Sequence, residues 1–491
     1  MHTPSAEQPT VAEKEPAPPR FEGTLPPTPL AWRCSIGLAI TAIALAAWGL
    51  QTTIGPRGQA FAGLFFFFGL VALFSKSLSA VNWRTVGWGI ALQFLLAWLV
   101  LKGEIQIGST LYSFRKALEW VGGGVKAVIT FSDKGAEFVF GNVAHPEHLA
   151  EVFGKNFLFP FVFKALPPIL FVSALFTLLY HWGIVQWCVR IMARVMVKLM
   201  KTSGAETVSV SANVFMGQTE APLIIKAYVP RMTNSELFTL MVSGFAHISG
   251  GMMVVYINYG ADPTAVLTTC VMACPCSLYL AKLFYPETVE PETAAAAHTT
   301  EEKSKFTNGI DAVVAGTRDG LQLVLNVAAM LIVFVAFVAM FDTLLGAIKP
   351  TLLGLGIAPG SLAGWPDDLS LGKIFGWLFS PAAFLMGIEP DDVPKVASLL
   401  GSKLAINEHF AYLQFKTLKA ADPQYMSARS QILTAFALTG FANFASVGIQ
   451  LGGIGAMAPQ RSHDLARFGL RALFVGFVAT LLNAAVAGLM M

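Results

Sequence analysis

The chain has 491 residues, of which 55% are hydrophobic and 13% charged, with a formal net charge of +3 and a mean hydropathy of +0.61. A soluble domain carries about 25% charged residues, so a water-soluble chain of this length is excluded: it would expose very large apolar patches. The small net charge argues equally against a nucleic-acid-binding surface.

Residues 1–30 are rich in Pro, Glu and Thr and poor in large apolar side chains, which predicts a disordered tail. Glu7, Glu13, Glu15 and Glu22 do not fit the basic start of a cleaved signal peptide, so the apolar segment that follows reads as a retained helix. Apolar blocks then fall at 31–50, 59–75, 83–101, 157–180, 235–257, 263–284, 320–346, 372–387, 430–452 and 467–491. A full membrane crossing needs roughly 20 apolar residues; 59–75 and 372–387 are short for it. Residues 108–132 and 183–201 mix apolar and basic positions. Arg190, Arg194, Lys198 and Lys201 there predict interfacial helices with snorkelling side chains. The stretch 285–308, with Glu287, Glu290, Glu292, Glu301 and Glu302, reads as a solvated loop dividing two halves. Cys34, Cys188, Cys270, Cys274 and Cys276 all lie in or beside apolar segments, so they read as small packing residues rather than a disulfide framework or a metal site.

Basic residues in short loops orient the chain. Lys14, Arg20 and Arg33 precede or open the first block, and Lys76 and Arg84 follow the second, against Arg57 alone between them. This places the N-terminus in the cytoplasm.

Two polar stretches interrupt the apolar pattern. The first is Asn213-Val-Phe-Met-Gly-Gln-Thr-Glu-Ala-Pro222, centred on Gln218, Thr219 and Glu220; the second is Lys403-Leu-Ala-Ile-Asn-Glu-His-Phe-Ala-Tyr412, centred on Asn407 and Glu408. Ionisable groups at membrane depth cost several kcal/mol unless they face a cavity or a partner, and irregular backbone there must line protein or water. Each stretch precedes a helix with small and polar residues, Gly244-Phe-Ala-His-Ile-Ser-Gly-Gly251 in one case and Gly440-Phe-Ala-Asn-Phe-Ala-Ser446 in the other. A broken polar segment repeated in both halves points to a transporter site at the repeat interface. A carboxylate such as Glu408 accepts hydrogen bonds from hydroxyls, while Asn443 and Ser446 both accept and donate. Gln218 and Glu220 suit an amide-like edge, and Phe441 can cover a ring face. By chemistry alone the guest is a small polar solute: a nucleoside, a sugar or an amino acid. The plainer alternatives are carboxylates paired inside the bundle, helix–helix bonds at Asn443 and Ser446, and ordinary packing at Phe441.

These segments resemble the concentrative nucleoside transporter family. Gly217-Gln-Thr-Glu-Ala-Pro222, Asn407-Glu408, Gly440-Phe-Ala-Asn-Phe444, Gly448-Ile-Gln-Leu-Gly-Gly453 and Arg467-Phe-Gly-Leu-Arg471 carry the likeness, with Glu137-Phe-Val-Phe-Gly141 and Lys282-Leu-Phe-Tyr-Pro-Glu287 as further matches. The resemblance implies an all-α polytopic protein, a homotrimer in which an elevator-like transport part with two re-entrant hairpins moves against a scaffold. It implies that Gln218, Thr219 and Glu220 meet the nucleobase, that Glu408 meets the ribose, that Phe441, Asn443 and Ser446 add base packing and ribose contacts, and that Met252 borders the base. It places a coupling cation near Asn213, His247 and Ile248. Family members usually carry Ser or Thr at the position of His247, and Phe at that of His409. Both histidines titrate near neutral pH when unperturbed, so the expected ion is sodium or a proton, with no cofactor.

The expected organisation is a tail at 1–30, scaffold helices and an interfacial helix at 31–132, a first transport half at 133–284 with its hairpin around 205–229, a loop at 285–308, a scaffold helix and second-half entry at 309–390, and a second hairpin with the C-terminal transport helices at 391–491. About nine crossings are expected besides the hairpins. The expected setting is a bacterial inner membrane, with nucleoside and lipid as partners and no nucleic acid. The expected role is cation-coupled nucleoside uptake and not enzymatic; the rivals are a passive channel and an intramembrane enzyme, although no nucleophile–base pair stands out.

Overall fold

The computed structural model describes residues 22–23, 26–107, 110–113, 130–144, 166–294, 306–422 and 424–491, apart from 357, 363, 365 and 367. Most of the expected tail therefore lies outside the described residues. Its end is held rather than loose: Glu22 accepts from Tyr285 Oη (2.7 Å) and Asn234 Nδ2 (3.0 Å) and pairs with Lys76, and Gly23 N–H donates to Thr288 Oγ1 at 2.9 Å. Burial, with Arg467 and Arg471 nearby, holds the Lys76 ammonium below its ordinary range.

Helices α1 (Leu30–Gly49) and α2 (Gln51–Leu73) are separated by Leu50 alone and pack on each other. Inside α2, Gly55 takes φ 61° and Pro56 follows, so the straight part of the helix restarts at a proline already set for a first helical turn. Helix α3 (Trp83–Leu101) is capped by Asn82, whose side chain accepts from Arg84 N–H. Next come two short antiparallel strands, β1 (Glu104–Ile107) and β2 (Thr110–Ser113), with Glu104 opposite Ser113. This corrects the expectation of an interfacial helix across 108–132. Strand β2 covers 110–113, helix α4 runs over 130–140, and 114–129 lies outside the described residues. The Ile-Gln-Ile and Thr-Leu-Tyr alternation has the two-residue period of a strand.

Helices α5 (Leu166–His181) and α6 (Ile184–Met200) meet at a 72° bend, where Gly183 adopts φ 79°. Along α6, Val185, Val189, Ala193, Met196 and Met200 are buried at helical spacing while Arg194 and Lys198 are exposed, which is the amphipathic helix the basic residues predict.

The two halves then repeat one plan. In the first, α7 (Gly204–Ala212) leads through two short 3₁₀ turns, Ala221–Ile225 and Val229–Arg231, into α8 (Asn234–Ala246). The chain breaks at His247-Ile248, resumes as α9 (Gly250–Asn258) and continues as α10 (Pro263–Phe284). Reciprocal capping boxes, Ser203 with Glu206 and Thr233 with Glu236, open α7 and α8. Lys282 Nζ joins both ends, lying 2.8 Å from Glu206, 3.1 Å from Glu287 and 3.0 Å from Ser235 Oγ. The segment 285–294 is consequently not a free loop: Gly204 N–H donates to Thr293 O (2.9 Å) and Ala205 N–H to Thr293 Oγ1 (3.0 Å).

The second half is entered through the long α11 (Gly309–Gly354) and α12 (Leu371–Leu385). Its hairpin is α13 (Val393–Ala405) and α14 (Glu408–Ala421). A second broken helix follows, α15 (Ala428–Leu438) and α16 (Phe444–Met457), and then α17 (Ser462–Met490). Hairpin, broken helix and straight helix thus occur in the same order twice.

Among the described residues seven helices are long and apolar enough to cross a membrane, or eight if bent α5–α6 is one span; α12 and α16 are apolar but shorter. The expected nine crossings exceed that number. Burial separates core from rim: 94% of the most apolar window of Asn234–Asn258 is buried, but 11% of that of α1 and none of that of Val335–Gly354. The buried helices form the core; α1 and the end of α11 present apolar surface outward. Gln93 on α3 donates to Asn483 on α17 (2.7 Å) and accepts from Tyr279 on α10 (2.7 Å), so α3 is tied to that core.

At Gly63 on α2, a Cβ would lie 1.8 Å from Leu385 O on α12. Because the obstacle is backbone, Gly63→Ala is expected to destabilise by about 3 kcal/mol, the upper end for overpacking. Thermal unfolding in detergent reads this out, with Gly37→Ala, whose Cβ would sit 3.8 Å from a leucine methyl, leaving stability unchanged.

Candidate functional site

The two helix breaks and the two hairpin tips converge. Phe441 N–H donates to His247 O (3.0 Å), joining one break to the other, and Gly250 N–H donates to Phe215 O (3.1 Å), joining the first break to the first hairpin. Gly440 makes the crossing possible. It has φ 145°, and a Cβ there would lie 2.7 Å from a Thr480 methyl and 3.0 Å from Phe245 O.

Breaking a helix inside a bundle frees backbone donors, and side chains from the motifs take them up. Asn443 caps α16 through Ser446 N–H (2.8 Å), Asn407 caps α14 through Phe410 N–H (2.8 Å), and Ser249 caps α9 through Met252 N–H (3.3 Å). The same Asn443 uses its Nδ2 to donate to Glu408 Oε2 at 2.8 Å, and Tyr256 Oη donates to Glu408 Oε1 at 2.8 Å. From the first hairpin, Gln218 Nε2 donates to Ser446 Oγ (3.3 Å), and Gln218 Oε1 accepts from Gln450 Nε2 (3.0 Å). Gln450, Gln218, Ser446, Asn443, Glu408 and Tyr256 thus form one continuous chain of contacts from the first hairpin to the second. Glu408 is 4% exposed, so its charge is held by directed donors and not by water.

Of the residues singled out in the sequence, the structure joins Gln218, Glu408, Asn443 and Ser446 directly. Thr219 packs on α16, where a Cβ on Gly453 would come 2.4 Å from its methyl. Phe441 is half-buried beside the crossing and Met252 is buried on α9. Glu220 stands apart from the chain. Its carboxylate accepts from Gly217 N–H (3.0 Å), and it lines a cavity of about 220 Å³ with Phe215, Ser249, Gly251, Tyr180 of α5 and Asp319 of α11.

The four residues expected near a cation separate into two places. Asn213 Nδ2 donates to Ser243 Oγ (2.9 Å), and His247 Nδ1 lies 2.9 Å from Ser243 O with its Nε2 3.4 Å from Cys274 Sγ; buried Ile248 follows in the same break. His409 is elsewhere, with Nε2 3.0 Å from Tyr259 Oη. Sequence reasoning missed Tyr256, Tyr259, Ser243 and Gln450. An α-helix brings Tyr256 and Tyr259 onto one face at three-residue spacing, but nothing local marks that face as turned toward Glu408. Among the described residues no group of three or more His, Cys, Asp or Glu side chains is arranged to hold a metal ion.

Comparison with known proteins agrees along the chain. Family models described as the N-terminus and C-terminus of a Na+ dependent nucleoside transporter match residues 62–143 and 265–488, and one described as nucleoside recognition matches 162–262. Human sodium/nucleoside cotransporter 1 is 38% identical over 479 residues, covering 92% of this chain and 67% of the relative. Mouse solute carrier family 28 member 3 is 37% identical over 463 residues, covering 91% of this chain and 61% of the relative; the chain thus spans about three fifths of that relative's length. Among solved structures, CNTnw in an inward-facing substrate-bound state superposes with a TM-score of 0.77 at 34% identity, covering 88% of this chain and 97% of the other. A double variant of CNTnw in an outward-facing state gives 0.79 at 33% identity, covering 89% and 98%.

Proposed function

The chain belongs to the concentrative nucleoside transporter family, and from that membership we propose that it is a secondary active transporter importing nucleosides by cation symport with an elevator-type movement. The observation that carries the reading is the continuous contact chain from Gln218 to Glu408 between the two hairpin tips. Within the site these groups satisfy one another apart from Gln450 Oε1, a buried acceptor without a hydrogen-bond partner among the described residues. An arriving nucleoside replaces partner for partner. Gln218, Thr219 and Glu220 take the base edge, Glu408, Asn443 and Ser446 the ribose hydroxyls, and Phe441 and Met252 border the base. A guest lacking those hydroxyls leaves the groups it displaced unpaired and is rejected.

Sodium is the ion named for the relatives, and Asn213, Ser243 and the carbonyl end of α8 supply oxygen for it, with His247 and Ile248 alongside. Imidazole nitrogen and the Cys274 sulfur are poor partners for a hard cation, so a proton is the second reading, with His409 as its other titratable group. In the proposed division α5 and α11 are static. Helices α2 and α3 travel with α10 and α17, to which Gln93 binds α3, although sequence alone put 31–132 in the scaffold. The outward apolar surfaces of α1 and α11 face lipid and neighbouring protomers of a homotrimer. The setting proposed is a bacterial inner membrane with the N-terminus in the cytoplasm.

Uptake of radiolabelled nucleoside into proteoliposomes, with sodium and proton gradients imposed separately, tests this. Accumulation above the outside concentration is expected under one of the gradients. Equilibration without accumulation would identify a passive pore, and release of an altered product an enzyme. Gly453→Val drives a side chain into Thr219 and is expected to lower uptake about 10-fold, from a displacement costing about 1–3 kcal/mol; equal uptake at equal expression would remove Thr219 from the site.

A further inference from the structure

Helix α11 carries the run Gly316-Thr-Arg-Asp-Gly320 where it meets α5. The two glycines are four residues apart and share one face. A Cβ on Gly316 would stand 2.6 Å from Thr177 Oγ1 and 2.8 Å from Ser173 O, and one on Gly320 3.0 Å from the Ser173 Cβ. Small residues at this spacing let two helices in a membrane approach backbone to backbone. Asp319 stands beside that seam and lines the cavity of about 220 Å³. The other two aspartates of α11 are committed: Asp311 accepts from Thr307 N–H (2.9 Å) and Asp342 from Leu371 N–H (2.8 Å). Asp319 has no such partner among the described residues.

The first hairpin supplies the facing acid. Glu220 lines the same cavity and, like any ionised carboxylate, accepts hydrogen bonds and donates none. The polar side chains that complete the lining are hydroxyls, Ser173, Thr177 and Tyr180 on α5 and Ser249 at the helix break. Thr177 already gives its proton to Ser173 O (2.8 Å), and Ser249 Oγ accepts from Met252 N–H (3.3 Å). None of the described lining residues is Lys, Arg, Asn or Gln. The cavity therefore offers a guest carboxylate acceptors from two walls and few side-chain donors, with Phe176 and Phe215 as apolar surface for a ring.

We propose that Asp319 is a specificity residue which, facing Glu220 across this cavity, selects nucleosides whose base carries an exocyclic amino group. The inference rests on the transport reading above and adds to it the class of base. Cytosine and adenine present an amino group with two N–H donors, where uracil and hypoxanthine present a carbonyl oxygen. The amino group meets a carboxylate on each wall. A carbonyl oxygen at the same place faces two acids, and its lost water is not replaced. Uracil and hypoxanthine keep a ring N–H, so the difference is one interaction and not the whole of binding.

Equilibrium binding of radiolabelled cytidine, uridine, adenosine and inosine to the solubilised full chain tests this. Cytidine is expected to bind about 10-fold more tightly than uridine, and adenosine about 10-fold more tightly than inosine. In Asp319→Asn, whose amide donates as well as accepts, both ratios are expected to fall to about threefold, because Glu220 remains. The ratio of cytidine to deoxycytidine, which reads the ribose side, is expected to be the same in both proteins. Equal binding within each pair in the wild type, or a preference for uridine and inosine, overturns the proposal. Base ratios unchanged in Asp319→Asn overturn it too. A variant in which base and ribose discrimination decline together would make Asp319 a prop for the fold and would also overturn it. If none of the four nucleosides binds the wild type, the nucleoside reading itself fails and takes the inference with it, whereas binding without a base preference removes the inference alone.

Discussion

Glu408→Gln is expected to reduce nucleoside affinity about 100-fold with little change in folding. The carboxylate accepts from Tyr256 Oη and Asn443 Nδ2, both at 2.8 Å, and is buried. An amide of the same shape can point its oxygen at Asn443 Nδ2 and its NH2 at Tyr256 Oη, which then accepts, so the fold is kept while the charge and one acceptor oxygen are lost. Hydrogen bonds to a charged group are worth about 1.5–3 kcal/mol, and loss of the charged acceptor toward the ribose hydroxyls comes to about 3 kcal/mol, which is about 100-fold in a dissociation constant. Tyr256→Phe removes one donor and leaves the charge, so a smaller loss of about 10-fold is expected from about 1.5 kcal/mol. Equilibrium binding to the solubilised protein and uptake into liposomes measure both. Should Glu408→Gln bind as tightly as the wild type, the hairpin-tip site would have to be abandoned.

The second large effect concerns stability and lies away from the site. Arg461 is 1% exposed and joins the start of α17 to the foot of the first hairpin. Its guanidinium donates to Met232 O (2.6 Å), Asn234 Oδ1 (2.7 Å) and Asp464 Oδ2 (2.7 Å). Arg461→Met fills similar space but strands a backbone carbonyl and an amide oxygen, and takes one partner from Asp464, which keeps Arg467 at 3.6 Å. Each buried acceptor left unsatisfied costs about 1–3 kcal/mol, and two of them lose their donor. The variant is expected to unfold well below the wild type in a thermal scan monitored by size-exclusion chromatography. Lys373, paired with exposed Asp368, provides the contrast: Lys373→Met is expected to change stability by less than about 1 kcal/mol. If the two variants melted together, the three contacts at Arg461 would carry no net weight.

The legible part of the sequence was that governed by local chemistry. Long apolar blocks gave helices because a membrane leaves the backbone no other way to satisfy itself, and the basic residues of α6 marked an amphipathic face. The motifs carried Gln218, Glu408, Asn443 and Ser446 because buried polar groups are rare enough in such a composition to stand out. Asn407, Ser249 and Asn443 also cap the helices that follow them, so the side chains that define the site also start its helices.

What the sequence by itself determined is the class: a membrane-embedded helical chain, broken twice at matching places, with polar groups available for a dissolved guest. Tertiary structure alone decided which groups meet. Tyr256 and Gln450 joined the site, His409 paired with Tyr259 away from His247, and α3 was bound to α10 and α17. It also decided that Glu220 faces the cavity beside α11 instead of the contact chain. The physical reason is range. Hydropathy and capping act over a few residues and are written in consecutive letters, whereas Gln218 and Ser446 lie 228 positions apart and meet only because two helix breaks cross at Gly440.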